Sequence, residues 1–148
     1  MRAGNRERRK YSVRRAGRWW WVRERPGSAS RMHDFRRLHV WQRSRAFAVS
    51  TSELTRGFPR SDHGVIAAQL RRAALSIPAN IAEGCGKSSR KEVVRFFQIA
   101  SASALEAESH VHVASDLGYL PAKAREHCVG ELQAIQRMLV GLMRRVPG

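Results

Sequence analysis

The sequence predicts an all-α protein, folded as an antiparallel up-down four-helix bundle. Apolar residues recur at steps of three and four along four separate segments, a spacing that places them on one face of a helix. Residues that start and stop helices separate these segments, and the alternation typical of β-strands is missing. Short connections between amphipathic helices favour antiparallel neighbours. A length of 148 residues allows one domain with a substantial core.

The first two helices supply half of this bundle. We expect helix one from Phe35 to about Arg56 with Asp34 as its N-cap, and helix two from near Asp62, a second N-cap candidate, to Gly84, with Gly84 and Gly86 closing it. The core-facing residues of helix one are Val40, Phe47 and Leu54, with Leu38, Trp41 and Ala48 beside them. The core-facing residues of helix two are Ile66, Leu70, Ala73, Ile77 and Ile81.

The last two helices have clear boundary signals. Residues 89–92, Ser-Arg-Lys-Glu, form a capping-box pattern that starts helix three, which ends at Leu117-Gly118. Pro121 is suited to the first turn of helix four. The apolar ladder of helix three is Val93, Phe97, Ala100, Ala104, Ala107, Val111 and Ala114. The ladder of helix four is Cys128, Leu132, Ile135, Leu139, Leu142 and Val146.

Helix two contains a proline and a pair of polar residues, and the formation of an apolar core-facing stripe explains neither. Pro78 removes one helical hydrogen bond at a cost of ~3 kcal/mol unless the helix bends, so we expect a kink there. Asn80 and Glu83 lie three residues apart, within mutual reach. The pair is expected to bond backbone groups freed by Pro78, or Arg71 or Arg72. A recognition role for the pair is the alternative.

The segment from Arg71 to Ala100, RRAALSIPANIAEGCGKSSRKEVVRFFQIA, resembles the signature of a family of small bacterial four-helix bundles, the proteins encoded in intervening sequences of 23S ribosomal RNA genes. The match extends through residues 35–49 and 116–120, and it covers roughly residues 32–146. The resemblance implies a bundle that assembles into a ring, commonly a pentamer. It also implies kinship with the nucleic-acid-binding accessory subunit of diversity-generating retroelements, but it brings no settled biochemical activity.

The charge of the chain favours polyanionic partners. It carries 28 Lys and Arg against 12 Asp and Glu, a net charge of +16. Residues 1–31 hold 11 of the basic and two of the acidic residues, and residues 32–148 form the bundle domain. We interpret residues 1–31 as a disordered basic extension, or as upstream sequence translated from a misassigned start codon. Codon bias of a GC-rich genome is an equal alternative for the arginine excess.

A nucleic-acid site is predicted at the start of helix three. Cations there oppose the helix dipole, while free backbone amides and positive charge together suit a phosphate group. The candidate nucleic-acid-binding residues are Arg36, Arg43, Arg71, Arg72, Lys87, Arg90, Lys91 and Arg95. One hypothesis is a non-enzymatic homo-oligomer that binds RNA or DNA through repeated arginine contacts. The alternative is a structural or protein-interaction module whose arginines lie at subunit interfaces.

Self-association is expected because the helices offer more apolar residues than one interior stripe each requires. The surplus residues are Trp41, Phe96, Phe97, Ile99, Met138 and Met143.

The sequence offers no catalytic, cofactor or metal motif. His110 and His112 are two residues apart, which places them on opposed faces of a helix, where they cannot chelate one metal. Cys85 and Cys128 are the only cysteines, with the spacing of neither a redox nor a zinc motif. No apolar run approaches the ~20 residues of a membrane span. We therefore expect a cytoplasmic protein with no enzymatic activity, cofactor or small-molecule substrate.

Overall fold

The computed structural model describes residues 34–147, apart from the side chain of His63, and the predictions for residues 1–31 lie outside this range. The described part contains four long helices and no β-strand, which confirms the all-α prediction. The helices are α1 (His39–Leu54), α2 (Ala68–Cys85), α3 (Arg90–Asp116) and α4 (Ala122–Arg145).

The packing order of the helices confirms the up-down bundle. Helix α2 packs against α1 and α3, and α4 packs against α3 and α1, so each helix has two neighbours. The pairing is antiparallel. In the α2–α3 pair, Gly84 near the end of α2 faces Phe97 near the start of α3, and Ser76 bonds Ser103 further along.

The predicted ladders form one core at the centre of the bundle. All seven ladder residues of α3 are buried, as are the central residues of the other three helices. Leu38, Trp41, Leu54, Ile66 and Leu142 are partly buried at the margins of this core. The periodicity of the sequence therefore identified the inward face of every helix.

The beginnings of α1 and α2 differ from the prediction. Asp34 accepts a hydrogen bond from the backbone N–H of Arg36 at 3.2 Å, but it caps a 3₁₀ turn, Phe35–Arg37, and α1 starts only at His39. The prediction that Asp62 caps α2 is wrong. Its carboxylate accepts a hydrogen bond from the Tyr119 hydroxyl, and a π-helical turn, His63–Ala67, leads into α2.

The boundaries of α3 and α4 lie close to the predicted ones. The backbone N–H of Glu92 donates to Ser89 Oγ at 3.3 Å, and the Ser89 hydroxyl donates to Glu92 Oε2 at 2.8 Å, which confirms a cap at Ser89. Pro121 is the N-cap of α4, one residue before the predicted position. Gly118, between the two helices, has a φ of 77°, the left-handed conformation that glycine adopts without strain.

Helix α2 runs through Pro78 and through Gly84. Pro78 is buried inside the helix, and the kink expected there stays a prediction. Gly86 is the C-cap of α2, in agreement with the prediction that Gly84 and Gly86 close the helix, and the last helical residue is Cys85, one position beyond Gly84. Gly84 itself packs against the side chains of Phe96 and Phe97 on α3.

Candidate nucleic-acid interface

One end of the bundle collects the start of α1, the end of α2, the start of α3 and the end of α4. The 3₁₀ turn Phe35–Arg37 contacts α2. Arg90 at the start of α3 donates a hydrogen bond from Nη1 to the backbone carbonyl of Val146, directly after α4. Leu38 and Arg145 line one shallow cleft, which brings the start of α1 to the end of α4.

This end of the molecule, here called the basic end, carries most of the net positive charge of the described residues. Its eight cations are Arg36, Arg37, Lys87, Arg90, Lys91, Arg95, Arg144 and Arg145. Its three carboxylates are Asp34, Glu83 and Glu92. The basic end therefore has a net charge of +5, whereas all described residues together, with 17 basic and 10 acidic side chains, have +7.

Three of the eight cations have partners within the protein. Arg36 pairs with Asp34 at 3.0 Å and lies over the Phe35 ring. Lys87 pairs with Glu83 at 2.9 Å and lies over the Phe96 ring. Arg90 caps the end of α4 through the carbonyl of Val146, as described above. These contacts stabilise the fold, and they partly compensate the positive charges of the three side chains.

The other five cations remain available to a ligand. They are exposed and form no ion pair with any of residues 34–147. These free cations are Arg37, Lys91, Arg95, Arg144 and Arg145.

The structure separates three of the predicted nucleic-acid-binding residues from the basic end. Arg43 donates two hydrogen bonds to Glu131 on α4, at 2.9 and 2.7 Å, which lowers the pKa of that carboxyl. Arg71 donates from Nε to Thr55 Oγ1 at 2.6 Å. Arg72 lies in a shallow groove beside Glu106. About 21 Å of helix, fourteen residues, separate Arg71 from the end of α2, so Arg71 and its neighbour Arg72 belong to another part of the surface. Arg43 lies only one turn into α1, and its ion pair with Glu131, rather than distance, sets it apart from the free cations.

Five of the predicted residues lie at the basic end: Arg36, Lys87, Arg90, Lys91 and Arg95. Three further arginines, Arg37, Arg144 and Arg145, lie there with them. Sequence reasoning missed these three arginines, although a signal for them was present. In an up-down bundle the end of the fourth helix must lie beside the start of the third. The predicted topology could therefore have brought Arg144 and Arg145 to the basic cluster.

The polar pair of α2 is divided between two sets of partners. Asn80 Nδ2 donates to the backbone carbonyl of Ser76 at 2.8 Å and to its hydroxyl oxygen at 2.9 Å. The Ser76 hydroxyl bonds that of Ser103 on α3 at 2.8 Å. Glu83 binds Lys87. Asn80 therefore helps to join α2 to α3. The carbonyl it bonds is not the one freed by Pro78, which belongs to residue 74, and Arg71 bonds Thr55 instead of this pair.

The described residues hold no group of three or more His, Cys, Asp or Glu side chains arranged for a metal ion. Burial, and secondarily the charge of Asp34, raises the pKa of the Cys85 thiol to about 11. Burial also raises the pKa of Cys128. Both thiols are therefore protonated at neutral pH, the opposite of an activated nucleophile. Within residues 34–147, no helix is long and apolar enough to cross a membrane.

The apolar surplus of the sequence lies mostly against the core. Phe97 is fully buried, and Trp41, Phe96, Met138 and Met143 are partly buried, so of the predicted set only Ile99 is an exposed apolar residue. Trp41, Met138 and Met143 pack against the core of the bundle. Among residues 34–147, the large apolar residues that are exposed are Val49, Val65, Leu75, Ile99, Leu105, Val113, Leu117 and Val140.

A family model described as 23S rRNA-intervening sequence protein matches residues 36–141, most of the chain. The chain belongs to this family. The matched residues span all four helices except the last turn of α4, and they include every free cation except Arg144 and Arg145. The family resemblance drawn from the motif in α2 and α3 is confirmed.

The fold of this family member also matches a solved structure. The crystal structure of a protein of unknown function from the S23 ribosomal protein family of Bacteroides thetaiotaomicron superposes with a TM-score of 0.65 at 24% sequence identity. The match covers 71% of this chain and 98% of the other. At this identity the likeness establishes the fold alone. A search of curated proteins finds no significant match.

Proposed function

We propose that this 23S rRNA-intervening sequence family member is a non-enzymatic nucleic-acid-binding protein that contacts phosphate groups through its basic end. The observation that carries the proposal is the gathering of five exposed, unpaired cations at one end of the bundle, from the 3₁₀ turn before α1, from α3 and from α4. Residues 1–33 add eleven basic and two acidic residues to the sequence, and they join the described chain at Asp34, at this same end.

The chemistry of the basic end suits a phosphate backbone better than base edges. Arginine outnumbers lysine four to one among the free cations, and its planar fork matches phosphate oxygens. Lys91 and Arg95 lie four residues apart on the first turns of α3, where the helix dipole disfavours cations unless an anion is bound. Binding through such contacts releases counterions and is largely independent of sequence.

We further propose that the protein forms a homo-oligomer, with a pentameric ring as the count that the family resemblance implies. The outer side of α3 leaves Ile99, Leu105, Val113 and Leu117 exposed to water, between 38% and 56% of each. A ring would repeat the basic end around an axis and would raise its avidity for a long polyanion. The same α3 surface favours the second candidate function, an assembly module without a nucleic-acid partner.

The test is the salt dependence of nucleic-acid binding by the full chain. We compare the wild type with a variant carrying Lys91→Gln, Arg95→Gln, Arg144→Gln and Arg145→Gln. A control variant removes four charges elsewhere, through Arg60→Gln, Lys123→Gln, Arg125→Gln and Arg137→Gln. Fluorescence anisotropy with labelled RNA and DNA gives the slope of log affinity against log salt. Each lost phosphate contact lowers the slope by about 0.7 to 0.9, so the first variant should lose about three and the control much less.

Equal slopes in the two variants would show that phosphates do not bind at the basic end. If the wild type binds neither RNA nor DNA at low salt, the assembly function is favoured. Light scattering on Leu105→Ser/Val113→Ser then tests that alternative, because removing apolar contact area should reduce the molar mass. An unchanged mass, or a monomeric wild type, would contradict the proposed oligomer.

A further inference from the structure

A groove between α1 and α2 lies outside the basic end and has no role in the proposed function. It encloses about 360 Å³. Its floor consists of aliphatic groups from Ala48, Val49, Leu75 and Pro78. Three arginines, Arg45, Arg56 and Arg71, line it together with a single carboxylate, that of Glu53. We infer that this groove docks an acidic amphipathic helix of a partner protein.

The apolar floor gives the partner a place to bury its own apolar side chains. Val49 is 57% exposed and Leu75 is 61% exposed, although each lies next to fully packed core residues. The outer face of α2 continues from Leu75 to Ala79 and Ala82, at steps of four and three. Such small side chains let a second helix approach closely, and a helix laid in a groove presents anchors at the same spacing.

The charges around the floor select an acidic partner. Arg71 is held by its Nε, which donates to Thr55 Oγ1 at 2.6 Å, so its two Nη groups remain for a ligand. A guanidinium held in this way can bind a carboxylate through two parallel hydrogen bonds. Arg45 and Arg56 are exposed, and Glu53 compensates only one of the three positive charges.

Nucleic acid is a poorer occupant of this groove than a peptide. Single-stranded bases bind by stacking on aromatic rings, whereas the floor here is aliphatic. The carboxylate of Glu53 would also repel a phosphate chain that followed the groove. An acidic helix avoids both problems, because its leucine-like side chains fit the floor and its carboxylates reach the arginines. The partner can bind here while the basic end holds nucleic acid.

The experiment is a peptide selection on the full chain. A displayed library of random 16-residue peptides is selected on the wild type at moderate salt and counter-selected on Leu75→Ser, which removes peptides that bind only through bulk positive charge. We expect the enriched peptides to combine Asp and Glu with large apolar residues at helical spacing. Circular dichroism checks that the variants keep the helix content of the wild type.

An enriched peptide is then measured by fluorescence anisotropy. Leu75→Ser, and separately Arg45→Gln/Arg56→Gln, should weaken its binding about tenfold or more. Two matched controls, Val140→Ser and Arg125→Gln/Arg137→Gln, should leave the affinity unchanged, as should Lys91→Gln/Arg95→Gln at the basic end. RNA binding should be unaffected by Leu75→Ser, which keeps this proposal separate from the proposed function.

Four results would overturn the inference. The selection could yield no peptide that depends on Leu75, or enriched peptides without acidic residues. Leu75→Ser could lower the molar mass of the protein in light scattering, which would assign the groove to a second copy of the chain. Loss of RNA binding in Leu75→Ser would assign it to nucleic acid.

Discussion

Gly84 on α2 faces the ring of Phe97 on α3 at a distance that no larger residue can keep. A Cβ atom at position 84 would lie 2.8 Å from Cε1 of Phe97 and 3.1 Å from Cβ of Phe96. Phe97 is fully buried, so a shift of its ring must displace other side chains of the packed core. The glycine sets the approach of α2 and α3 next to the turn that leads into the basic end.

Gly84→Ala should therefore destabilise the protein. A forced methyl group in a packed core costs about 1–3 kcal/mol, which exceeds the gain of about 1 kcal/mol that alanine brings to a helix interior. Urea unfolding measures the change. The control is Gly130→Ala in α4, where the added Cβ meets nothing within 4 Å. This control should gain about 0.5–1 kcal/mol. Equal effects of the two substitutions would contradict the close contact.

Among the three α3 cations of the predicted phosphate cluster, Arg90, Lys91 and Arg95, only Arg90 should be needed for the fold. Its Nη1 group donates to the carbonyl of Val146 and so satisfies the end of α4. Arg90→Gln should lower the free energy of unfolding by about 0.5–1.5 kcal/mol. Lys91→Gln and Arg95→Gln should change it by less than about 0.5 kcal/mol, because both side chains are exposed and their removal relieves the helix dipole.

Chemical denaturation of the three single variants decides this point. If Arg90→Gln is as neutral as Lys91→Gln, Arg90 does not cap α4. Arg90 would then be a sixth cation available to bind a phosphate group.

The ion pair between Arg43 and Glu131 should couple the stability of the bundle to acid pH. The hydrogen bonds from Arg43 lower the pKa of Glu131 below its ordinary value of 4.5. The unfolded chain therefore takes up this proton first as the pH falls. The contribution of the pair is complete above pH 4.5, and it is lost as the pH drops through the lowered pKa of the folded state.

A double-mutant cycle with Arg43→Gln and Glu131→Gln measures the coupling. We expect about 0.5–1 kcal/mol at pH 7, declining below pH 4.5, since the pair is bidentate but partly exposed. The control cycle uses Arg125 and Glu126, 3.9 Å apart and with a more exposed carboxylate than Glu131, for which we expect a coupling near zero. A coupling that does not change with pH would contradict the assigned pKa direction.

Cys85 should react slowly with alkylating reagents. Its pKa of about 11, raised by burial, compares with an ordinary value of 9.0. The reactive thiolate is therefore about 100-fold scarcer at pH 8 than in an exposed cysteine. Iodoacetamide labelling followed by mass spectrometry of the Cys85 peptide should show a rate that keeps rising with pH up to about 11. Rapid labelling at pH 7 would indicate an activated thiol.

The sequence by itself determined the four helices, the inward face of each and the cap at Ser89. These features depend on residues three or four positions apart, and the helix brings such residues together whatever the rest of the chain does. The same local signals failed at Asp62, and they did not reveal that Gly84 packs against α3. In both cases the deciding contact comes from a distant segment. Tyr119 donates a hydrogen bond to the Asp62 carboxylate, and the Phe97 ring leaves no room for a side chain at position 84.

The tertiary structure alone decided which cations meet. Arg43 and Arg71 looked equivalent to Lys91 and Arg95 in the sequence, but partners on other helices bind the first two. The contact that ties Arg90 to Val146 spans 56 positions in the chain. The position of a charged residue in the sequence does not reveal its partner. Whether a cation forms an ion pair or stays free depends on the residues that pack beside it from other helices, not on its neighbours along its own helix.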